Sequence, residues 1–435
     1  MNLLTSLKPD QKEAVKFLQR ATFLEYFDIM MYVHTTIIMV QLFFPQMSSR
    51  VTALVSVLLF GSNWILRPIS TYVFGYLSDQ MGRKAVTLLT ITLLAISCVL
   101  TATMPLYELI AMKAVWVTLA CRVFQGLGSL DELTTAEIYF TETSQSSNRN
   151  PLVGLASISA ALGSIAALIV LNFAPLLGFD WRAGFWVTAL VGVCGSMART
   201  STPEASEFLQ KPIQDKVDSK TIWSSFFMTA AWPVMMYFAY FYASNILKDK
   251  FGFTFEQIML QSLMAATIGI LSCVGFVYLS SKVHPLKLLR IKLACFIPFA
   301  LACPYFLSNL SSPFELLLLQ AFCVAFVLDN VPASAILIKH LPGSGRFTYV
   351  GLIYALSRVS AYLVTALSMI FLTEFLGHWS WYFIFIPMIA WYYWSLQHFE
   401  KLEKIPATDL PQHETSFRVI MPKVIPAYKS LNEIL

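Results

Sequence analysis

The sequence predicts an all-α membrane protein with twelve transmembrane helices in two pseudo-symmetric six-helix bundles. Three observations carry this. The 435 residues are 57% hydrophobic and only 13% charged, which is the composition a bilayer selects and a soluble domain of this size does not show. The apolar residues gather into twelve long runs separated by short polar joints. Short residue groups also recur between the two halves at nearly one offset.

The expected spans are residues 21–43, 52–77, 85–104, 109–132, 152–174, 181–199, 222–243, 258–280, 288–308, 314–338, 350–373 and 379–398. Residues 1–20 are polar and carry Lys8, Lys12, Lys16 and Arg20. They lack the small-residue cleavage pattern of a signal peptide, so the first run is expected to stay as a helix. The sixth span is short and the tenth contains Pro332. The expected domains are 1–199 and 221–398, with a polar cytoplasmic linker at 200–220. The tail 399–435 holds Pro406, Pro411, Pro422 and Pro426 without a heptad pattern, and is expected to be a flexible extension.

Cations set the orientation. With both termini inside, the inner segments hold 22 Lys and Arg and the outer segments five. That split favours cytoplasmic termini in a plasma membrane. The formal charge of +5 is therefore a topology signal, and nothing favours nucleic-acid binding. All seven cysteines fall inside expected spans, none at metal-ligand spacing. They read as reduced packing residues.

The second and third spans are joined by GYLSDQMGRK, Gly75 to Lys84. It reads as a ten-residue cytoplasmic hinge. Its glycines allow a sharp bend, Asp79 adds a carboxylate, and Arg83 and Lys84 hold the cytoplasmic side. The repeats run through the same frame. Leu130-Asp131-Glu132-Leu133 lines up with Leu328-Asp329-Asn330-Val331, Arg149 and Gly154 with Arg346 and Gly351, and Tyr76-Leu77-Ser78 with Tyr278-Leu279-Ser280. Opposite Asp79, Gly82 and Arg83 the second half has Ser281, His284 and Pro285, so the stronger gate is expected in the first half.

Several stretches together resemble the major facilitator superfamily, and within it the metabolite:proton symporter branch that includes proline/betaine, shikimate, citrate and 2-oxoglutarate transporters. Leu24-Glu25-Tyr26-Phe27-Asp28 with Tyr32 and Phe43-Phe44-Pro45 resembles LEWYDF…FFP. Arg67-Pro68, Phe74-Gly75, Asp79 and Gly82-Arg83-Lys84 resemble RP…FG…D..GRK. Arg122, Gln125, Gly126 and Glu132 resemble RLLQG…GGE, and Arg346 with Gly351 resembles RYTG. The family's glycines around the fourth-span glutamate are replaced by Leu130, Asp131, Thr134 and Thr135, and its Gly-Asn before Glu25 is Ala21-Thr22. Small residues let helix backbones approach, so helix spacing at the cavity is expected to differ. The resemblance implies parallel halves about an axis normal to the membrane, with the site between them.

Three arginines, Arg67, Arg122 and Arg358, lie inside spans, with Glu25, Asp28, Asp131, Glu132 and Asp329 as acids and Glu137 further along. A charge at mid-membrane costs at least about 2.5 kcal/mol, so each should face a cavity and find a partner. Depth pairs Asp28 with Arg67, and Asp329 with Arg358. Arg122 is left for an anionic group of substrate or a carboxylate of another helix. Helical phase puts Asp28, Tyr32, Thr35 and Met39 on one stripe with Glu25 beside it, and Arg122, Gln125, Ser129 and Glu132 on one broad face. His34 lies opposite Glu25 and reads as a packed, hydrogen-bonded residue. The aromatic cluster Trp379, Trp381, Tyr382, Trp391, Tyr392, Tyr393 and Trp394 reads mainly as an interfacial belt.

The function expected is secondary active transport of a small polar metabolite, an organic acid, amino acid or osmolyte, by proton symport. Glu25, Asp28, Tyr32, Arg122, Gln125, Glu132, Asp329 and Arg358 form the expected pathway. Arg67, Gly75, Asp79, Gly82, Arg83 and Lys84 form the expected gate. Burial raises a carboxylate pKa and a nearby arginine lowers it. A group held between those pulls can load and release a proton. No cofactor or metal is called for; the proton gradient supplies the energy, the expected partners are substrate, protons and lipid, and the protein is expected to be a monomer. The alternatives are a proton-independent facilitator or exchanger on the same fold, and a non-transporting sensor. No P-loop and no H-E-x-x-H or G-x-S-x-G motif is present, which argues against an ATPase and against an intramembrane enzyme.

Overall fold

In the computed structural model the described residues are 9–81, 83–128, 132–144, 149–190, 218–342 and 346–404. Among them there is helix in each expected span and no strand. Helices satisfy every backbone group within the segment, as hydrocarbon demands. In the first half they are α1 (Pro9–Phe43), α2 (Ser49–Met81), α3 (Arg83–Thr103), α4 (Met112–Gly128), α5 (Glu132–Thr143), α6 (Arg149–Phe173) and α7 (183–190). In the second they are α8 (Ser219–Met236), α9 (Ala243–Phe251), α10 (Phe255–Leu279), α11 (Pro285–Ser308), α12 (Pro313–Ala325), α13 (Ser334–Lys339), α14 (Arg346–Leu376) and α15 (Trp381–Leu402).

Four stretches are apolar enough by length and hydropathy alone to cross a membrane: Arg50–Phe74, Arg149–Leu177, Phe255–Leu279 and Arg346–Leu402. Several of the others carry interior charges or are broken. Residues 129–131 of the fourth span, between α4 and α5, lie outside the described residues. The tenth is divided into α12 and α13, with Asp329 and Asn330 in the non-helical joint. The Leu328-Asp329 group therefore falls at this interruption, and its counterpart Leu130-Asp131 lies outside the described residues.

Aliphatic and aromatic side chains cover the outer surface, Leu58, Ile69, Leu271 and Val364 among them, all exposed. Lipid is the solvent for that face. The seventh span carries Pro233 and then a π-helical turn, Tyr237–Tyr242, between α8 and α9. The Gln320 side-chain amide on α12 donates to the Ala239 carbonyl at 2.7 Å inside this turn. A side-chain donor reaching a mid-helix carbonyl is one way such a bulge is held.

The halves meet along α2 with α14 and along α6 with α10. At the second contact a Cβ on Gly154 would lie 2.7 Å from Val277, so glycine sets the approach there. Within the first half, a Cβ on Gly163 would lie 2.1 Å from the Phe23 carbonyl, which puts α6 directly against the backbone of α1.

Several expectations change. The stretch 75–84 is not a ten-residue loop: α2 runs to Met81 and α3 starts at Arg83. Helix continues because nothing before Gly82 breaks it. Gly75 and Asp79 thus sit on the last turns of α2, and Arg83 and Lys84 on the first turn of α3. Gly82 and these side chains' surroundings lie outside the described residues. Helix α15 carries the chain to Leu402, past the expected start of the tail, and residues 405–435 lie outside the described set. Asp218, placed in the linker, caps α8 by accepting from the Lys220 N–H; 191–217 are not described. The aromatic belt is divided: Trp379, Trp391 and Tyr393 are exposed, but Trp381 and Tyr392 are fully buried. Trp381 packs on Phe238 and Phe385 at 5.0 and 4.7 Å.

Candidate substrate and proton site

The site begins with one turn of α1. Asp28 and Tyr32, four residues apart, project on one side of the helix. Asp28 is 3% exposed and Tyr32 2% exposed. Helix α4 brings Arg122 and Gln125, three residues apart, to the same level. The Gln125 side-chain nitrogen donates to both Asp28 carboxylate oxygens, at 2.8 and 2.9 Å. The Cys98 thiol on α3 points at the same carboxylate from 3.6 Å. Asp28 is therefore held by a neutral amide and a weak thiol donor, and not by Arg67.

Arg122 lies flat over the Tyr32 ring, its guanidinium carbon 2.9 Å from the ring centre. It is 2% exposed, and none of its three nitrogens has a hydrogen-bond partner. The Tyr32 hydroxyl is likewise buried without a partner. A buried donor left unsatisfied costs about 1–3 kcal/mol, and more when charged. A cation over an aromatic face recovers only about 0.5–2 kcal/mol. The first half therefore holds a cation ready for an oxygen ligand.

Glu25 takes the arginine expected for Asp28. Arg67 donates to one Glu25 oxygen at 2.6 Å. The other oxygen accepts the N–H groups of Glu132 and Leu133 at 3.0 and 3.2 Å. These open α5, where the helix dipole favours a negative charge. Glu25 lies nearer the start of α1 than Asp28, and that register decides the pairing. Glu132 is half-buried. Its backbone supports Glu25.

In the second half, Asp329 pairs with Lys292 and not with Arg358. Lys292 donates to Asp329 Oδ1 at 2.9 Å and to the Val331 carbonyl at 2.8 Å. The same carboxylate oxygen accepts the Val331 N–H at 3.2 Å, and the Tyr392 hydroxyl donates to the Asp329 carbonyl at 2.6 Å. Lys292 lies within the expected span 288–308 but is absent from the charges expected inside the membrane. It is 2% exposed inside α11. The signal was Pro285: proline favours the first helical position, which places Lys292 about two turns inside the helix. Arg358 stands 5.4 Å from the Trp232 ring centre and 5.3 Å from that of Tyr354.

Between the halves lies a small cavity walled by Trp64, Trp232, Tyr237, Tyr240, Phe241 and Tyr362, with Met30 and Val33 of α1 beside them. Its free space is about 10 Å³, roughly what one water needs. His34 is packed edge-on to Tyr240 at 5.4 Å, and its Nε2 has no hydrogen-bond partner. It is a packed residue as expected, without the expected bond at that nitrogen.

Both ends of the bundle are tied across the halves. At the end carrying the termini, Arg346 donates to Glu142 at 2.9 Å and Tyr354 to Glu137 at 3.1 Å. Asn330 donates to the same tyrosine at 2.5 Å. Ile138, Ile338, Leu341, Val350 and Ile353 pack around this tie. At the other end Arg50 pairs with Glu374, and midway, at the cavity, Trp64 packs edge-on against Tyr362 at 4.9 Å. The site is enclosed from both sides. The tie through Glu137 and Tyr354 was not singled out from sequence, since its partners are more than 200 residues apart.

A helical bundle of two halves, with buried ionised groups around a central cavity and ties at both ends, defines a multi-pass membrane transporter. The model of the Major Facilitator Superfamily matches residues 21–328, and the chain belongs to that superfamily. It is 26% identical over 343 residues to a putative proline/betaine transporter of Staphylococcus aureus strain COL, covering 74% of this chain and 72% of that one. It is 29% identical over 210 residues to a putative proline/betaine transporter of Staphylococcus haemolyticus, covering 46% and 45%. With the alpha-ketoglutarate permease of Escherichia coli it shares 25% over 206 residues, covering 46% and 48%. The chain spans about half the length of these last two relatives. Among solved structures, the proton:xylose symporter XylE superposes with a TM-score of 0.72 at 15% identity, covering 90% of this chain and 95% of that one. A likeness at that identity establishes the fold.

Proposed function

We propose that the protein is a proton-coupled symporter that carries a small polar metabolite across the plasma membrane by alternating access. The observation that carries this is the Asp28–Gln125–Arg122 arrangement: a carboxylate held by neutral donors, beside a guanidinium with no hydrogen-bond partner. Protonation of Asp28 removes the negative charge nearest Arg122. The guanidinium then offers its full charge to an oxygen anion on substrate. Loss of the proton restores the internal balance and weakens the substrate's hold. The relatives named as proline/betaine and alpha-ketoglutarate transporters support a small carboxylate-bearing cargo.

In this reading the termini are cytoplasmic, as the Lys and Arg distribution favours. The Arg346–Glu142 and Tyr354–Glu137 ties close the cytoplasmic side, and Arg50–Glu374 closes the outer side. Each set opens in turn as the halves rock. Arg67 fixes the packing of α1, α2 and α5 through Glu25. The helix ends carrying Gly75 and Asp79 on one side and Arg83 and Lys84 on the other, with Gly82 between them in sequence, gate the first half. Lys292 and Asp329 hold the broken tenth span together. Only the gradient is needed as energy source, and one chain suffices.

The test is uptake into proteoliposomes of amino acids, betaines and mono- to tricarboxylates at two pH values, with and without a protonophore. Accumulation that needs the gradient is expected. Uptake that persists undiminished after the gradient collapses contradicts symport and leaves a facilitator.

A further inference from the structure

The outer seam between α8 and α15 repeats one pattern on both helices, at the end carrying the termini. On α8, Lys220, Trp223 and Phe227 follow at spacings of three and four and share a stripe. On α15, Trp394 and Lys401 lie seven apart on one stripe, with Trp391 a turn before. Each stripe therefore runs from a cation in the terminal turn to rings deeper along the helix. The rings close the seam. Phe227 stacks on Trp391 at 4.4 Å and on Trp223 at 5.9 Å, and Trp394 stands edge-on to Trp391 at 6.2 Å. Trp223 is 54% and Trp391 48% exposed, on a face whose solvent is lipid. Lys220 Nζ lies 6.0 Å from the Trp394 ring centre. Both Lys220 and Lys401 lie within electrostatic reach of His398, whose Nε2 shares a hydrogen bond with the Thr221 hydroxyl at 2.9 Å. The acids nearby are engaged elsewhere. Asp218 accepts the Lys220 N–H at 3.1 Å and the Thr221 hydroxyl at 3.3 Å. Glu400 pairs with Arg290, and Glu403 with Lys339. Lys220 and Lys401 are exposed, and among the described residues neither stands in an ion pair with these acids.

A belt tryptophan sits at the interface whatever the headgroup. Two cations beyond a set of rings call in addition for an anion on the water side and hydrocarbon on the ring side. A free phosphate uses only the lysines, and a neutral lipid only the rings. A lipid with an anionic headgroup uses both, and each juxtamembrane cation strengthens such binding about fivefold. We propose that the α8–α15 seam binds an anionic glycerophospholipid, its phosphate between Lys220 and Lys401 and an acyl chain along Trp223 and Trp391. The seam joins the first and last spans of the second half, so the lipid braces that bundle at its two ends. It lies on the outer face and depends on neither the cargo nor the coupling of the Asp28–Arg122 site.

The test is photo-cross-linking of the purified full chain in phosphatidylcholine nanodiscs that contain a trace of phosphatidylglycerol with a diazirine on its acyl chain. Labelled peptides are located by mass spectrometry. Labelling is expected to concentrate on 219–230 and 388–402, and there to exceed that from the matching phosphatidylcholine probe about tenfold, on the scale of two surface cations. Lys220→Gln combined with Lys401→Gln should remove this preference at an unchanged melting temperature. Lys282→Gln, which removes an exposed cation elsewhere at the same end, should leave it intact. Trp391→Leu should lower labelling by both probes. Added salt should weaken the preference, since the lysines are exposed. Equal labelling by the two lipids, labelling spread evenly over the outer face, or a preference unchanged in the folded double variant overturns the proposal. Glycerol phosphate in the water is expected not to compete; competition at the concentration of the lipid probe indicates a site for soluble phosphate and also overturns it.

Discussion

Each half buries a closed ion pair, Arg67 with Glu25 in the first and Lys292 with Asp329 in the second, and the first half adds an open set of charges beside its own pair. In the second half Lys292 and Asp329 satisfy each other at 2.9 Å, and the surrounding backbone supplies further bonds. In the first half Arg122 has an aromatic ring beneath it and no hydrogen bond, while Asp28 has an amide where a cation was expected. A closed pair is architecture, because removing either member strands the other. An open group is stability forgone, and a membrane protein tolerates that where a ligand or proton completes the set. In the proposed function the transport chemistry belongs to the open set in the first half, and the closed pairs of both halves belong to the scaffold.

Stability measurements can break this comparison. The largest loss is expected from Lys292→Met, which leaves Asp329 buried without its cation at a cost of about 3–5 kcal/mol. The variant should show a strongly lowered melting temperature in detergent. Adding Asp329→Asn should restore much of it, since a neutral pair carries no stranded charge. Arg122→Met should differ from wild type by about 1 kcal/mol or less, because the relief of an unsatisfied guanidinium offsets the lost cation–π contact. It should nevertheless be inactive in uptake. Equal destabilisation by Lys292→Met and Arg122→Met would remove the distinction between the closed pair and the open set.

Much of the fold was legible from sequence because bilayer thickness fixes the length of each apolar run and charge fixes its direction. The site was legible in part. Asp28, Tyr32, Arg122 and Gln125 share faces that helical periodicity exposes, and the structure brings them together. The pairings were not. Asp28 and Glu25 lie three residues apart, and depth counted from a span boundary cannot separate them when α1 already runs from Pro9, well before the expected start of the span at residue 21. Lys292 falls inside the expected span 288–308 yet counts among the inner cations, which hides it as a partner for Asp329. The break between α12 and α13 shifts Asp329 from the depth that matched it to Arg358.

An intermediate effect sharpens the comparison at the interface of the halves. Gly154→Val should hinder the approach of α6 to Val277, where even a Cβ would stand at 2.7 Å. Overpacking of this kind costs about 1–3 kcal/mol. Cross-linking between α6 and α10 should fall in parallel with turnover. The smallest effect is expected at the partly exposed tie between Arg346 and Glu142. Glu142→Gln should change stability by about 1 kcal/mol or less, yet raise labelling of a cysteine placed at the cytoplasmic end of the cavity. The reversed pair, Glu142→Arg with Arg346→Glu, should bring labelling back toward wild type.

The central claim is that Asp28 carries the coupled proton. Its direct measurement compares Asp28→Asn with wild type in the same proteoliposomes, under an imposed pH gradient and in substrate-for-substrate exchange without one. The account predicts that the variant loses gradient-driven accumulation and keeps exchange. Accumulation at the wild-type level in Asp28→Asn would contradict it.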